Sequence, residues 1–183
     1  MTDVLAYHQL SKHAPERFAP GPGQLDWATQ PAPFRRYEGA RLIELYHRPL
    51  EEGPAYDSAF AGPRRPLAPL GRASVSQLLY DSLAISAWKE AGGSRWALRV
   101  NPSSGNLHPT EAYLLLPPGV VDETGVLAHY APDLHALEVR CDLSAPLGQQ
   151  LANSLPPGGF LLGLSSIAWR EAWKYGERAY RYC

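Results

Sequence analysis

The clearest pattern in the chain is a change near residue 70, from irregular to regular spacing of the apolar positions. Ten of the 18 prolines precede residue 70. Proline has no N–H to donate and resists helix interiors, so we predict that residues 15–69 are mostly irregular. Within them we expect one short helix over residues 40–47 and a linker at residues 62–66.

Beyond residue 70, the apolar positions first follow a helical period. Ser74 and Gln77 have the spacing of a capping box, and Val75 and Leu79 fall on one face. The pair Gly92-Gly93 is typical of the residues that end a helix. We therefore predict a helix from residue 74 to residue 92 that buries part of its circumference.

Shorter apolar runs after this helix predict strands and one further helix. Residues 125–130 and 136–141 have the alternation of a hairpin around residues 131–133. Ser166 is a typical N-cap for a final helix with Trp169 and Trp173 at helical spacing. The other predicted strands are residues 96–100, 111–116 and 160–164, the last of them buried.

The net charge, the cysteine count and the length of the apolar runs exclude several classes of protein. A formal net charge of −1 gives no support to nucleic-acid binding, which needs a basic surface. Only two cysteines occur, Cys141 and Cys183, which suits a reducing compartment. The chain start lacks the features of a signal peptide, and no apolar run approaches the roughly 18 residues of a membrane span. We predict a soluble, cytoplasmic protein that binds neither nucleic acid nor membrane.

Several conspicuous side chains are interpreted as structural. Cys141 ends a predicted strand and is expected to be a buried, inert thiol. His8 and His13 have no carboxylate or cysteine at metal-ligand spacing around them, so no metal site is predicted. The tryptophans expected in the core are Trp88, Trp96, Trp169 and Trp173.

The loop RVNPSSGNLHP carries unusual polar chemistry between two predicted strands. Ser103 and Ser104 offer hydroxyls, Gly105 allows close approach to a ligand, and Asn106 offers a donor and an acceptor side by side. Two interpretations are equally favoured, a serine-capped turn and a ligand-binding loop. His108 is interpreted as a group that orders the loop or as a ligand contact.

The predicted final helix carries a basic stripe, which is Arg170, Lys174, Arg178 and Arg181. Like charges at this spacing repel by a few tenths of a kcal/mol per pair. One interpretation is a solvated helix face. The other is an anion site in which Lys174, crowded by arginines, acts as a base near neutral pH and Tyr175 exchanges a proton beside it.

These two segments together resemble a known family. P-S-S-G-N-x-x-P, between VSQLLYDSLAISAWKE and EAYLLL, resembles the flavin loop of the nitroreductase superfamily. RVNPSSGNLHPTEAY and AWKYGERAYRY together resemble the SagB-type dehydrogenase branch, as do the N-terminal YHQLSKH and LDWATQPAPFRRYEGA. The superfamily's early Arg-Arg-Ser-x-Arg phosphate motif is not visible, because Arg64-Arg65 is followed by Pro-Leu-Ala.

The resemblance implies an α+β, nitroreductase-like fold with a central mixed or antiparallel sheet flanked by helices. It implies FMN as the cofactor, bound at the interface of a homodimer or of a pseudo-dimer with a second nitroreductase-like half. The substrate would be a small molecule or a peptide, a peptide thiazoline or oxazoline in the azoline-oxidising relatives. Lys174 and Tyr175 match the pair that removes a proton while the flavin accepts hydride. The implied flavin contacts are Arg99, Pro102, Ser103, Ser104, Gly105 and Asn106.

The resemblance also implies a division of the chain. Residues 1–70 would form a proline-rich wrapping segment, and residues 71–183 the N-terminal part of the FMN-binding domain. Domains of this family continue with further helices and a strand, so we expect the chain to be part of a longer domain, with a fold incomplete at its C-terminus. The alternative function is a non-catalytic binding or scaffold domain that keeps the fold without a working flavin site.

Overall fold

Short helices and strands follow one another along residues 3–47, 55–61 and 68–183, which the computed structural model describes. The helices are α1 (Val4–Ser11), α2 (Tyr56–Ala61), α3 (Arg72–Leu83), α4 (Ala145–Ser154) and α5 (Ala168–Tyr175). The strands are β1 (Leu42–Glu44), β2 (Ile85–Ala91), β3 (Ser94–Arg99), β4 (Thr110–Leu116), β5 (Val126–Ala131), β6 (Ala136–Asp142) and β7 (Leu161–Ser166). Single 3₁₀ segments occupy Trp27–Thr29, Ser104–Asn106 and Gly176–Arg181. The predicted linker at residues 62–66 lies outside the described residues.

The contacts within the chain define two units. The loop–helix unit comprises residues 3–35, 101–112 and 163–183, and the sheet unit comprises the described residues of 36–100 and 113–162. The domain boundary predicted near residue 70 stays a prediction.

A five-stranded sheet has the order β1-β6-β5-β4-β7, and the pairs β1/β6, β6/β5 and β5/β4 are antiparallel. Alternate residues point into the core, so Leu114 and Leu116 of β4 are both buried. The hairpin predicted around residues 131–133 is confirmed, since β5 and β6 pair from Val126 opposite Asp142 to Ala131 opposite Ala136. Helices and an antiparallel sheet together confirm the predicted α+β class.

A buried charged network surrounds Glu138 of β6, the strand between β1 and β5. The Glu138 side chain is fully buried, and its Oε1 accepts hydrogen bonds from Arg36 Nε at 2.7 Å and from the Tyr37 backbone N–H at 3.1 Å. Its Oε2 lies 2.9 Å from His129 Nδ1. Burial by itself opposes ionisation, but these hydrogen bonds outweigh it and lower the pKa of Glu138. The sheet unit therefore holds its central carboxylate ionised and satisfied.

The helix predicted over residues 40–47 is wrong. Residues Leu42–Glu44 form β1, which pairs with Ala136–Glu138 of β6, and only the middle residue, Ile43, is buried. The Leu45 N–H continues the ladder to the His135 carbonyl at 3.1 Å. Tertiary pairing with a strand far along the chain overrides the local apolar spacing, which is a common outcome for short segments.

The helix predicted from residue 74 to residue 92 is correct only in its first part. α3 begins after Gly71, so Ser74 is its third residue, and the Ser74 hydroxyl accepts a hydrogen bond from the Gly71 N–H. α3 ends at Leu83, and β2 and β3 then form a separate two-stranded sheet. Gly92 and Gly93 both have positive φ, +56° and +76°, as a two-residue hairpin turn requires. The glycine pair is thus a hairpin signal rather than a helix end.

The C-terminal elements also differ from their predictions. β7 covers residues predicted as a buried strand, yet all six of its residues are exposed, because β7 is an outer strand of the sheet. Ser166 is the last residue of β7, so the N-cap of α5 is Ile167. The helix α4 was missed, although Ser144 followed by a proline is a typical helix start.

Three tryptophans and one cysteine predicted to be buried lie at the surface. The exposed fractions are 46% for Trp88, 38% for Trp96 and 58% for Trp169. Cys141 is exposed as well, because the last three residues of β6 lie outside the core. Among the described residues, no helix is both long enough and apolar enough to cross a bilayer.

Candidate functional site

The loop singled out in the sequence has an unusual backbone that its own side chains hold in place. Gly105, Asn106 and His108 all have positive φ, at 66°, 60° and 49°. Such values are uncommon for residues other than glycine. The Ser103 hydroxyl accepts a hydrogen bond from the His108 N–H at 2.8 Å, and His108 Nε2 lies 2.7 Å from Asn106 Oδ1. The structure therefore supports the interpretation of His108 as a group that orders the loop.

Arg170 of α5 fixes this loop from the other side. Its Nη1 donates to the His108 carbonyl at 2.5 Å and to Glu111 Oε1 at 2.5 Å. Arg170 and Glu111 are only 3% and 2% exposed, so the ion pair is well shielded from solvent. The Ile167 N–H also donates to the Pro109 carbonyl at 2.8 Å. The start of α5 is therefore tied to the end of the loop.

These ties bring the two motifs of the sequence together. Ser104 Oγ lies 3.0 Å from the hydroxyl of Tyr175. A Cβ placed on Gly105 would lie 2.8 Å from Lys174 Cδ, 2.8 Å from the Tyr175 hydroxyl and 3.0 Å from Lys174 Nζ. A Cβ at this position would displace the ends of the Lys174 and Tyr175 side chains, and the positive φ of Gly105 favours glycine as well.

The predicted basic stripe does not form one helix face. α5 ends at Tyr175, and Gly176, with φ of +54°, turns the chain into the 3₁₀ segment. Arg178 contacts His13 Nε2, and its guanidinium lies 5.5 Å from the centre of the Tyr175 ring. Arg181 binds the Ser11 hydroxyl and the His8 carbonyl. The four basic residues therefore do not share one solvated helix face, and the three arginines have partners within the loop–helix unit.

The N-terminal segment supplies partners that the sequence did not indicate. The Trp173 indole N–H donates to the Asp26 carbonyl at 3.0 Å, and Trp27 packs edge-on against Trp173 at 5.4 Å between ring centres. The Tyr7 hydroxyl donates to the Glu177 carbonyl at 2.9 Å. Apart from the resemblance to a leading segment of SagB-type proteins, the only local signal was the concentration of aromatic and histidine residues before residue 28.

Glu171 is a site residue that the sequence analysis missed. Its side chain is fully buried, and neither carboxylate oxygen has a hydrogen-bond partner among the described residues. Burial raises the pKa of Glu171 to about 7, and the nearby Lys174 ammonium opposes part of this rise. In the sequence, Glu171 between Arg170 and Lys174 looks like an ordinary surface charge, so nothing local reveals its burial.

Two further residues predicted to contact the flavin are Pro102 and Arg99. Pro102 is exposed at the start of the loop. Arg99 is the last residue of β3, belongs to the sheet unit, and is 8% exposed. No group of three or more His, Cys, Asp or Glu side chains within the described residues could hold a metal ion. The flavin roles assigned to Arg99 and to the loop stay predictions.

Comparison with known proteins identifies the fold. No family model matches the sequence, and no curated protein sequence matches it. Among solved structures, the chain is similar to a candidate nitroreductase from Anabaena variabilis, with a TM-score of 0.69 and 25% sequence identity over 97% of this chain. The fold is therefore nitroreductase-like, as the resemblance implied. The chain spans about a third of that protein, since the match covers 34% of it.

A second solved structure is less similar. It is a chain of the E. coli microcin synthetase McbBCD complex with truncated pro-MccB17 bound, and it has 25% identity and a TM-score of 0.44. The match covers 76% of this chain and 57% of that one. Because the TM-score is below 0.5, the function proposed next does not depend on this match.

Proposed function

We propose that this chain is the flavin-binding part of an FMN-dependent oxidoreductase of the nitroreductase superfamily, in its SagB-like branch. The observation that carries the proposal is the convergence of the Ser104-Gly105 backbone with the Lys174-Tyr175 pair. The 3.0 Å contact between Ser104 Oγ and the Tyr175 hydroxyl joins positions 71 residues apart in the sequence. The nitroreductase-like fold supports the same class of protein.

The residues of the loop fit a flavin in their chemistry. The hydroxyls of Ser103 and Ser104 suit the oxygens of a ribityl chain or phosphate, and Gly105, without a side chain, lets Lys174 and Tyr175 lie against the same backbone. Lys174 Nζ lies beside the same backbone, 3.0 Å from a Cβ placed on Gly105. Asn106, whose Oδ1 lies 2.7 Å from His108 Nε2, is assigned to cofactor contact because the resemblance implies it. Arg99 and Pro102 complete the proposed set.

When bound, FMN supplies hydride chemistry, which no side chain can provide. Lys174 and Tyr175 would accept the proton that the substrate gives up during this chemistry. Ser104 orients the Tyr175 hydroxyl, while Arg178 and Tyr182 pack against the Tyr175 ring, the two tyrosine rings lying 4.2 Å apart. The pair is thus held in position before a substrate arrives, as efficient general-base catalysis requires.

We extend the proposal to the substrate and the assembly. The substrate would be a small molecule or a peptide, with a peptide thiazoline as the test compound that the SagB resemblance suggests. The site would lie at the interface of a homodimer or of a pseudo-dimer with a second nitroreductase-like half.

Titration of the full chain with FMN tests the proposal directly. We expect quenched flavin fluorescence and saturable binding, and we expect Gly105→Ala to lose that binding. Lys174→Ala should keep FMN bound while lowering thiazoline oxidation by about 10²- to 10⁴-fold, the usual contribution of a general base. Lys89→Ala, which removes an exposed lysine of β2, serves as the matched control and should change neither quantity.

Two results would count against this function. Failure of the wild-type chain to bind FMN in excess would favour the alternative, a non-catalytic binding or scaffold domain. Full turnover by Lys174→Ala would exclude Lys174 as the base while leaving the cofactor assignment in place.

A further inference from the structure

Glu171 occupies a position that the proposed proton chemistry does not yet use. It precedes Lys174 by three residues and Tyr175 by four, and α5 runs from Ala168 to Tyr175. Residues at these spacings lie on the same face of a helix, one turn apart. Glu171 therefore lies on the face of α5 that carries Lys174 and Tyr175.

Among the residues that the structure describes, Lys174 is the cation that interacts with Glu171. Arg170, its immediate neighbour, is already committed to Glu111 and to the His108 carbonyl. The groups that interact electrostatically with Glu171 are Lys174 and the thiol of Cys183. Cys183 can only repel a carboxylate, since partial desolvation and the Glu171 charge both raise the pKa of that thiol. Lys174 is thus the group that stabilises an ionised Glu171.

We propose that Glu171 is a positioning residue whose ionisation is coupled to the charge on Lys174. A buried carboxylate without a partner is costly, so loss of the positive charge at position 174 favours the neutral acid form of Glu171. When Lys174 takes a proton from the substrate, Glu171 releases its own proton to solvent. The face then carries one ammonium and one carboxylate, so its net charge stays at zero. The part of this inference that calls Lys174 a base rests on the proposed function.

The coupling is measurable in the chain without FMN. The ¹³C resonance of the Glu171 carboxyl, identified by its loss in Glu171→Gln, should titrate near neutral pH. Replacing Lys174 with methionine removes the favourable charge and should move that midpoint upward by about one pH unit. Lys174→Arg keeps the charge and should leave the midpoint near its wild-type value.

Cys183→Ser distinguishes the effect of Cys183 on the Glu171 midpoint from the effect of Lys174. It removes the other titratable group that interacts with Glu171, and we expect a smaller shift than in Lys174→Met. An unchanged midpoint in Lys174→Met, or a larger shift in Cys183→Ser, would overturn the coupling. Because Lys174 is only half-buried, Lys174→Met is expected to fold even where a change at Glu171 is not tolerated.

A second measurement ties the coupling to catalysis. In the FMN-loaded protein, Glu171→Gln should alter the pH dependence of kcat near pH 7 without changing FMN affinity. An identical pH profile would exclude a role for Glu171 in turnover. If the chain binds no FMN, the proposed function fails, and the carboxyl titration still decides the coupling by itself.

Discussion

Glu138 in the sheet unit and Glu171 in the loop–helix unit are both fully buried glutamates, but their surroundings are opposite. Glu138 accepts hydrogen bonds from Arg36 and Tyr37 and contacts His129, and its pKa is lowered. Glu171 has no hydrogen-bond partner among the described residues, and its pKa is raised to about 7. The same side chain thus favours its ionised form in one unit and has its ionisation shifted towards neutral pH in the other.

The difference separates a structural carboxylate from one suited to proton exchange. A satisfied buried ion pair specifies how strands and loops meet, and removing one partner leaves the other buried and unpaired. An unsatisfied carboxyl with a midpoint near neutral pH costs stability, but it can gain or lose a proton under ordinary conditions. Natural proteins commonly accept such a cost at functional sites.

The largest change in stability should come from replacing Glu138, the buried glutamate that has hydrogen-bond partners. Glu138→Ala leaves Arg36 and His129 without their shared acceptor, so we expect a loss of about 3 kcal/mol in the free energy of unfolding, measured by urea denaturation at pH 7. Glu90→Ala, at an exposed position of β2, should change it by less than about 0.5 kcal/mol. Equal effects of the two variants would show that the network does not stabilise the sheet unit.

The pH dependence of stability should sharpen the contrast. Because the pKa of Glu138 is lowered, its carboxylate stabilises the folded state at pH values above its ordinary pKa of 4.5. This stabilisation is lost as the pH falls. A raised pKa means the reverse for Glu171: folding is favoured below pH 4.5, and this contribution is lost as the pH rises through about 7.

Glu171→Gln should therefore change stability in a pH-dependent way. Relative to wild type, the variant should gain on the order of 2 kcal/mol between pH 5 and pH 8, because it has no carboxylate to bury. Urea denaturation at the two pH values measures this difference. A constant offset between variant and wild type would show that Glu171 does not titrate in this range.

The smallest expected difference in stability is between alanine substitutions at two glycines, one with side chains close to it and one without. Gly105 and Gly23 are both exposed and have similar φ, +66° and +77°, but nothing lies within 4 Å of a Cβ placed on Gly23. Each change to alanine should cost about 1 to 2 kcal/mol of backbone strain. Gly105→Ala should cost about 1 kcal/mol more by thermal denaturation, because it also displaces Lys174 and Tyr175. Equal losses would mean that the site accommodates the extra methyl.

Local signals decided which elements could be predicted. The β5–β6 hairpin was found because alternation and turn residues coincide in one short stretch. β1 was missed because its structure depends on pairing with β6, which is far along the chain. β2 was missed because its structure depends on the turn that joins it to β3. The Gly92-Gly93 pair suits both a helix end and a hairpin turn, and only strand pairing distinguishes the two.

The sequence predicted the two main parts of the candidate site but not Glu171. Composition and spacing left the loop and the basic stripe as two separate features, each with a structural alternative. The resemblance to a family linked them, and the structure places Ser104, Gly105, Lys174 and Tyr175 together. Glu171 could not have been found, because burial depends on how distant segments pack and a glutamate beside basic residues is common on surfaces.

The double hydrogen bond of Arg170 has a consequence for how this chain could be engineered or diversified. Arg170 and Ile167 connect α5 directly to residues 108–111, so the spacing between loop and helix is set where they touch. The intervening chain passes through exposed turns, including Glu123-Thr124 and Pro157-Gly158. Peptide insertions at these two turns should be tolerated with the loop–helix geometry intact, which makes them natural points for attaching reporters or fused domains.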